Sequence, residues 1–288
     1  MNLHSCLFEI QSRYESLTPV EKRIADYIAE HSEEVIHMTA RELAAHADTA
    51  GSAVLRCCKS LGFSGFPALK ISLSADISKN MQLNYSPYID AQDTPDSILD
   101  KVFSANVKTL HDTAERIDRK SIIKAVEAIR PDGHIYIYAV GTSAALAMDF
   151  QYRLIQIGYH AFCFTDVPTM KVSTLNIAPG DVAIGITHTG RTIPTIESLK
   201  LAKAKGAVAA CITSFPNSPI VSHCDAPIST YSDEIKYPVE AVSARIAHIS
   251  VMDTIVIALS AKNYEETVRR SKLTHEYVDT IRYGEASL

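Results

Sequence analysis

Positive charge is not in excess in this 288-residue chain: 28 Lys and Arg stand against 33 Asp and Glu, a formal net charge of −5. That balance excludes a protein that wraps nucleic acid with its whole surface and confines any such contact to a local patch. Paired cysteines are also lacking. Cys6, Cys57, Cys58, Cys163, Cys211 and Cys224 have no metal-ligand spacing, and Cys163 and Cys211 lie in apolar runs as small hydrophobes would, so reduced thiols, a cytoplasmic setting and no metal are expected. No apolar run reaches the ~20 residues of a membrane span, since the most apolar long window, Ile246 to Leu259, is interrupted by His248 and Asp253. His4 and Glu9 stand where a signal peptide has its basic and apolar segments, so neither a leader nor a membrane contact is expected. The length favours two domains over one.

What is present begins with helices. Thr18-Pro19-Val20-Glu21 sets a capping hydroxyl, a helix-first proline and a glutamate three residues on, with Val20, Ile24, Tyr27 and Ile28 on one face. Thr39-Ala40-Arg41-Glu42 repeats the signal and starts a short helix to about His46, with Leu43 and Ala44 as its apolar contacts. Residues 47–50 read as a turn and Ser52 to Leu61 as a second helix, with Val54, Leu55, Cys58 and Leu61 inward and Gly62 at its end. Two helices around a tight turn make a helix-turn-helix, whose second helix enters the DNA major groove by its start. Gly51, Ser52, Ala53 and Arg56 are then expected at base edges or nearby phosphates, Arg56 as a bidentate partner of guanine, with Lys59 and Lys70 placed for phosphate. Residues 51–80 carry four cations against one anion and residues 1–50 four against nine, so one side alone could meet DNA. A helical interaction or dimerisation module is the alternative.

Residues 81–93 lose the helical period and contain Pro87, which marks a linker. Thr94-Pro95 restarts a helix with Ile98, Leu99, Val102, Phe103, Val107 and Leu110 as its apolar stripe, and another follows from about Arg119 to Ile129; both are expected to pack on what comes next. From His134 the pattern alternates: strands at His134 to Val140, Ala161 to Phe164, Val182 to Ile186, Val208 to Thr213 and around Pro227 to Thr230, with helices between them. Such alternation predicts a parallel sheet covered on both faces, with ligands beyond the C-terminal strand ends. Three loops there carry hydroxyls: Gly141-Thr142-Ser143, Thr187 to Thr192, and Thr213-Ser214. The middle one, Thr187-His188-Thr189-Gly190-Arg191-Thr192, joins a strand to a helix whose start attracts anions, so a phosphorylated metabolite is the expected guest. An ordinary turn with Thr192 as helix cap is the plainer alternative.

The run Ala53-Val54-Leu55-Arg56-Cys57-Cys58-Lys59-Ser60-Leu61-Gly62-Phe63-Ser64-Gly65-Phe66, with Ala68-Leu69-Lys70 after it and Leu17 to Ile28 before it, resembles RpiR-type bacterial transcriptional regulators. It departs from them at Ala50-Gly51, where members more often carry Ser and a polar residue, and Thr49 is then the expected cap and a further DNA-facing residue. Residues 105 to 265 resemble the SIS (sugar isomerase) domain of those regulators. Gly141-Thr142-Ser143 stands at its first Ser-bearing loop, and Thr187 to Thr192 where many members show Ser-x-Ser-Gly-x-Thr around a sugar phosphate. Ala241 to His248 is similar to the segment that opens the long helix beside the ligand.

The resemblance implies an all-α helix-turn-helix domain (1–80), a linker (81–93) and an α/β three-layer SIS domain with a five-stranded parallel sheet (94–288). It implies effector contacts from Gly141, Thr142, Ser143, Thr187, His188, Thr189, Gly190, Arg191, Thr192, Glu240 and Ser243, and no cofactor. The partners implied are double-stranded operator DNA, a sugar phosphate effector and further copies of the chain in a homodimer or homotetramer. The alternative is a sugar-phosphate isomerase or lyase that moves a proton with Glu240 or His188. Against it, Glu240 reads as a helix-start acid and His188 as a solvent-facing or ligand-bonding histidine with no titratable neighbour close in sequence. The identity of the sugar and the sign of regulation are left open.

Overall fold

Reciprocal capping closes two early helix starts. The Glu21 carboxylate accepts from the Thr18 N–H at 2.9 Å while the Thr18 hydroxyl accepts from the Glu21 N–H at 3.4 Å, and Thr39 and Glu42 repeat the pair at 2.7 and 3.3 Å. The computed structural model describes residues 5–82, 92–232 and 242–280. In chain order its first helices are α1 (Cys6–Arg13), α2 (Pro19–Glu30), α3 (Ser32–Val35), α4 (Ala40–His46), α5 (Gly51–Ser60), α6 (Phe66–Gln82), α7 (Pro95–Arg116) and α8 (Arg119–Ala128). There follow β1 (His134–Tyr138), α9 (Thr142–Gln156), β2 (His160–Phe164), α10 (Val167–Ser173), β3 (Val182–Ile186), α11 (Ile193–Ala204), β4 (Val208–Thr213), β5 (Ala226–Ser229), α12 (Val242–Lys262) and α13 (Tyr264–Asp279). The chain packs as two units, Met1–Asp112 with Tyr231–Ser243, and Thr113–Thr230 with Ala244–Leu288. Residues 83–91 of the expected linker lie outside the described residues.

The first unit has one helical core. Ile24, Ile28, Leu43, Val54, Cys57, Cys58, Leu61, Leu69 and Leu73 are buried together in it. On α5 the inward face differs from expectation: Cys57 is buried and Leu55 is 49 % exposed. Helical period places residues 54, 57, 58 and 61 on one face, and 55 falls beside 52, 56 and 59 on the other. Burial pushes the Cys57 thiol up to about 12 and Cys58 to about 11, which suits core residues rather than reactive ones.

The expected stripe of α7 is also turned. Leu99, Phe103 and Val107 are exposed, while Lys108 and Asp112 are buried as an ion pair at 2.7 Å. The stripe was read from period, and period groups residues on a face without saying which face is covered.

In the second unit the sheet order is β2-β1-β3-β4-β5 with every pairing parallel. Alternation along β1 sends Ile135 and Ile137 to one core and Tyr136 and Tyr138 to the other. The first core is closed by Ala125, Phe150, Leu154, Val251, Ile255 and Leu259 from α8, α9 and α12, the second by Met170, Ile196, Leu199 and Ala202 from α10 and α11. This is the expected three-layer α/β arrangement. α12 spans 21 residues, longer than its apolar window suggested, and is long and apolar enough by composition to cross a membrane. Half of its most apolar window is buried, and Ala247, Val251, Met252, Ile255 and Leu259 form part of the first core.

Candidate functional site

The helix-turn-helix is present: α4, a turn in which Asp48 takes φ +49°, then α5. Arg23 donates to the Asp48 carbonyl at 3.2 Å and steadies the turn. Ala50, not Thr49, is the N-cap of α5, and no side chain caps that helix. Thr49 instead turns back, its N–H reaching the Ala44 carbonyl at 2.8 Å and its hydroxyl the same oxygen at 3.5 Å. Ala53 is buried in the core with Val54 and Cys57 on the covered face of α5 and cannot face a base. Lys70 does not extend outward either. Its ammonium donates to the Met38 carbonyl at 2.9 Å and lies 5.5 Å over the Phe66 ring. Gly51, Ser52, Arg56 and Lys59 are exposed together, and Leu55 joins them. Sequence reasoning missed Leu55, although the spacing 52, 55, 56, 59 marks one helix face. Beneath that face Ser60 donates to Glu21 at 2.6 Å, and this bond, with those from Thr18, holds the Glu21 carboxyl below its usual range.

The second candidate site is the sheet rim of the other unit. A 2-1-3-4-5 order reverses direction between β1 and β3, and ligands of such sheets bind beyond those strand ends. Tyr138 near the end of β1 pairs with Gly185 of β3, so the two following loops start side by side. After β1, Gly141 adopts φ +61°, ψ −135°, open to glycine, and is the N-cap of α9; no side chain caps the helix, and Ser143 in its first turn is buried. After β3, Thr192 is the N-cap of α11 by position, yet its hydroxyl is not spent on the helix. It pairs with the Thr187 hydroxyl at 2.9 Å. The plainer reading holds for position, since Thr192 is the N-cap, but not for the hydroxyl; Pro194 has no N–H and the Ile196 N–H is given to the Thr192 carbonyl at 3.1 Å, so the Ile193 and Thr195 N–H groups are the ones this start can turn to an anion.

Gly190 fixes the loop's path. Its φ of +65° lies in the left-handed region, and a Cβ there would run into Ser218 Oγ. Its carbonyl accepts from the Ile220 N–H at 3.1 Å, while Ser218 Oγ is buried with no hydrogen-bond partner. Thr189 and Arg191 are exposed, the Arg191 N–H lying 3.4 Å from the Thr189 hydroxyl.

His188 is half-buried rather than solvent-facing. Its carbonyl accepts from the Thr213 hydroxyl and the Ser214 N–H, both at 3.0 Å, its ring meets Phe215 edge-on at 5.4 Å, and Nδ1 lies 3.0 Å from Ser214 Oγ. The same Oγ is 3.1 Å from His248 Nε2 and 3.1 Å from Thr230 Oγ1. His248, wholly buried in α12, is held down to about 3 by desolvation, with His188 adding a smaller push, and is therefore neutral. His188 thus has a titratable neighbour through one hydroxyl. Sequence reasoning marked the Ser214 loop and, by resemblance, the Ala241–His248 segment beside the ligand, but it did not single out the Thr230 or His248 side chain, since their meeting at Ser214 is made only by the fold. Ser243 is buried at the second position of α12, and Glu240 lies outside the described residues.

Comparison with known proteins agrees with both halves. The model of the rpiR-family helix-turn-helix domain matches residues 4–80 and that of the SIS domain residues 128–258. The HTH-type transcriptional regulator YbbH of Bacillus subtilis is 29 % identical, over 95 % of this chain and 96 % of its own. HexR of Escherichia coli, also an HTH-type transcriptional regulator, is 25 % identical over 92 % of each chain. The NanR protein of Vibrio vulnificus, solved in complex with ManNAc-6P, shares the fold with a TM-score of 0.60 at 24 % identity, covering 97 % of this chain and 100 % of that one. The chain belongs to the RpiR-type transcriptional regulators, in which a helix-turn-helix domain precedes a SIS domain.

Proposed function

We propose that this regulator senses a sugar phosphate at the rim formed by Gly141–Ser143 and Thr187–Thr192, and that binding alters its affinity for operator DNA. The observation that carries the reading is the α11 start, where Thr192 is bonded to Thr187 and leaves the Ile193 and Thr195 N–H groups, Pro194 having none, to a guest. The uncapped start of α9 on the neighbouring strand adds a second anion-favouring end. The complex of NanR with ManNAc-6P supports a phosphorylated sugar as that guest.

On the DNA side, Gly51 and Ser52 bring the uncapped α5 start close to phosphate, Arg56 reads guanine, Leu55 meets a thymine methyl and Lys59 meets the backbone. Half-sites on a duplex call for two copies, and the exposed Leu99, Phe103 and Val107 of α7 supply an apolar stripe for self-association. The effector is bound without turnover, in the cytoplasm where operator DNA is found, and the His188 ring serves the site as a hydrogen-bonding group through Nδ1 and the Ser214 hydroxyl.

The test is a thermal-shift series with hexose and N-acetylhexosamine 6-phosphates on the full chain, repeated on Thr187→Val. A ligand at a hundredfold excess over its Kd stabilises the fold by about 2.7 kcal/mol, a shift of several degrees. The wild type should respond to at least one sugar phosphate, the variant tenfold more weakly, and the same compound should change operator affinity by fluorescence anisotropy. No response to any sugar phosphate, or a hit that Thr187→Val binds equally well, sinks the site; turnover of the hit makes the protein an isomerase or lyase.

A further inference from the structure

Ser214 Oγ has three polar neighbours: His188 Nδ1 at 3.0 Å, His248 Nε2 at 3.1 Å and Thr230 Oγ1 at 3.1 Å. A hydroxyl has one proton to give and two lone pairs to receive. Ser214 therefore donates to one of the three and accepts from the other two, which links the proton positions of both rings. When Ser214 donates to His188, Nδ1 is the acceptor, the His188 proton sits on Nε2, and His248 must present Nε2–H. When Ser214 donates to His248, His188 carries Nδ1–H and its Nε2 is an acceptor. In the third case Ser214 donates to Thr230 and both rings donate to Ser214. Since His248 is neutral inside the core, it has a single N–H and cannot serve two arrangements at once.

We propose that Ser214 and His248 are positioning residues of the sensing loop: lying 26 residues beyond His188 and a further 34 beyond that, they set which His188 nitrogen carries the proton. They thereby decide whether the His188 ring offers the effector a donor or an acceptor. A phosphate or carboxylate oxygen selects the Nε2–H form, and a sugar hydroxyl that donates selects the other. Thr230 closes the fourth corner, its N–H donating to the Thr213 carbonyl at 2.8 Å and holding the end of β5 against β4. The loop that meets the ligand is in this way tied through one oxygen to a neighbouring strand end and to the long helix. The consequence for effector choice rests on the reading of this rim as the effector site; the proton linkage itself does not.

The experiment is long-range 1H–15N NMR of the His188 imidazole in the full-length protein, comparing wild type with Ser214→Ala, His248→Leu and His248→Gln. Nitrogen shifts report which ring atom is protonated. Ser214→Ala and His248→Leu should change the His188 tautomer ratio, and His248→Gln, whose amide can both donate and accept at that depth, should return it toward wild type. Identical His188 shifts in all four proteins overturn the proposal, and a native circular dichroism spectrum for Ser214→Ala and His248→Gln guards against misfolding as the cause of a change. Titration with glucose 6-phosphate, N-acetylglucosamine 6-phosphate and inorganic phosphate forms the second arm. A sugar phosphate that binds wild type should bind His248→Leu about tenfold more weakly and His248→Gln within threefold, the scale of one hydrogen bond. A tautomer response with no wild-type binding removes the effector reading and upholds the linkage; wild-type binding with unmoved tautomers and equal affinities removes the linkage and upholds the effector reading.

Discussion

The helix starts of this chain fall into two kinds. At α2 and α4 a threonine and a glutamate satisfy each other's backbone groups, and at α8 and α10 an aspartate, Asp118 or Asp166, takes the cap. At α5, α9 and α11 no side chain does so. The closed starts belong to helices that hold the cores together; the open ones face the expected DNA groove and the sheet rim. An open start is not sufficient in itself, for α3 and α13 begin on His31 and Asn263 without a side-chain cap and neither follows a strand. What distinguishes α9 and α11 is their place at the C-terminal ends of β1 and β3, where the strand order reverses.

The contrast can be broken most severely at Gly190. Gly190→Ala puts a Cβ into Ser218 and an L-residue into the left-handed region, which alone costs about 1–2 kcal/mol. Its urea midpoint should fall, and the sugar-phosphate thermal shift should vanish, a loss of a hundredfold or more; a normal shift would show that the loop's path is not what the ligand reads. Next in size, Arg56→Ala should weaken specific operator binding by about 1–3 kcal/mol at fixed salt, with non-specific DNA affinity little changed. Equal losses on specific and random DNA would reduce Arg56 to a phosphate contact.

His248 gives a pH-dependent effect. Its folded value of about 3 lies below the ordinary histidine value of 6.5, so the unfolded chain binds a proton that the native one refuses, and stability is lost as pH falls from 6.5 toward 3. At pH 5 this amounts to about 2 kcal/mol. Chemical denaturation at pH 7 and pH 5 should show His248→Gln losing that much less than wild type. The smallest change closes an open start: Ala50→Ser adds a cap to α5 and should raise stability by about 1 kcal/mol, whereas Thr18→Ala should lower it by a similar amount, both read from urea midpoints.

Much of this architecture was written plainly in the chain. The strands Val182–Ile186 and Val208–Thr213 were read to the residue, because strands buried on both faces appear as unbroken apolar runs between turn signals. The capping boxes were as legible, their chemistry being local. Leu55 and the α7 stripe were misassigned for one reason: a period sorts residues into faces, and tertiary packing then chooses among them. α10 and α13 carried too little apolar pattern to announce themselves, α13 having no buried residue at all. At the rim, Thr187 to Thr192, the Ser214 loop and the Ala241–His248 segment could be read from the chain, whereas the hydrogen bonds that join His188, Ser214 and His248 could not, since they link side chains far apart in sequence. Ala53 was placed at DNA by its position at the start of the second helix, Thr49 as the expected cap and Lys70 by its charge, and each is engaged within the helical unit instead.

The left-handed turn at Gly190 has a further consequence. A guest held there would be grasped by main-chain amides, which every residue but proline supplies alike, so the threonines at 187 and 189 shape the pocket's walls without deciding its grip on charge. Descendants of one such scaffold could drift from one phosphorylated carbohydrate to another by exchanging wall residues, with the glycine as the position that drift must leave alone.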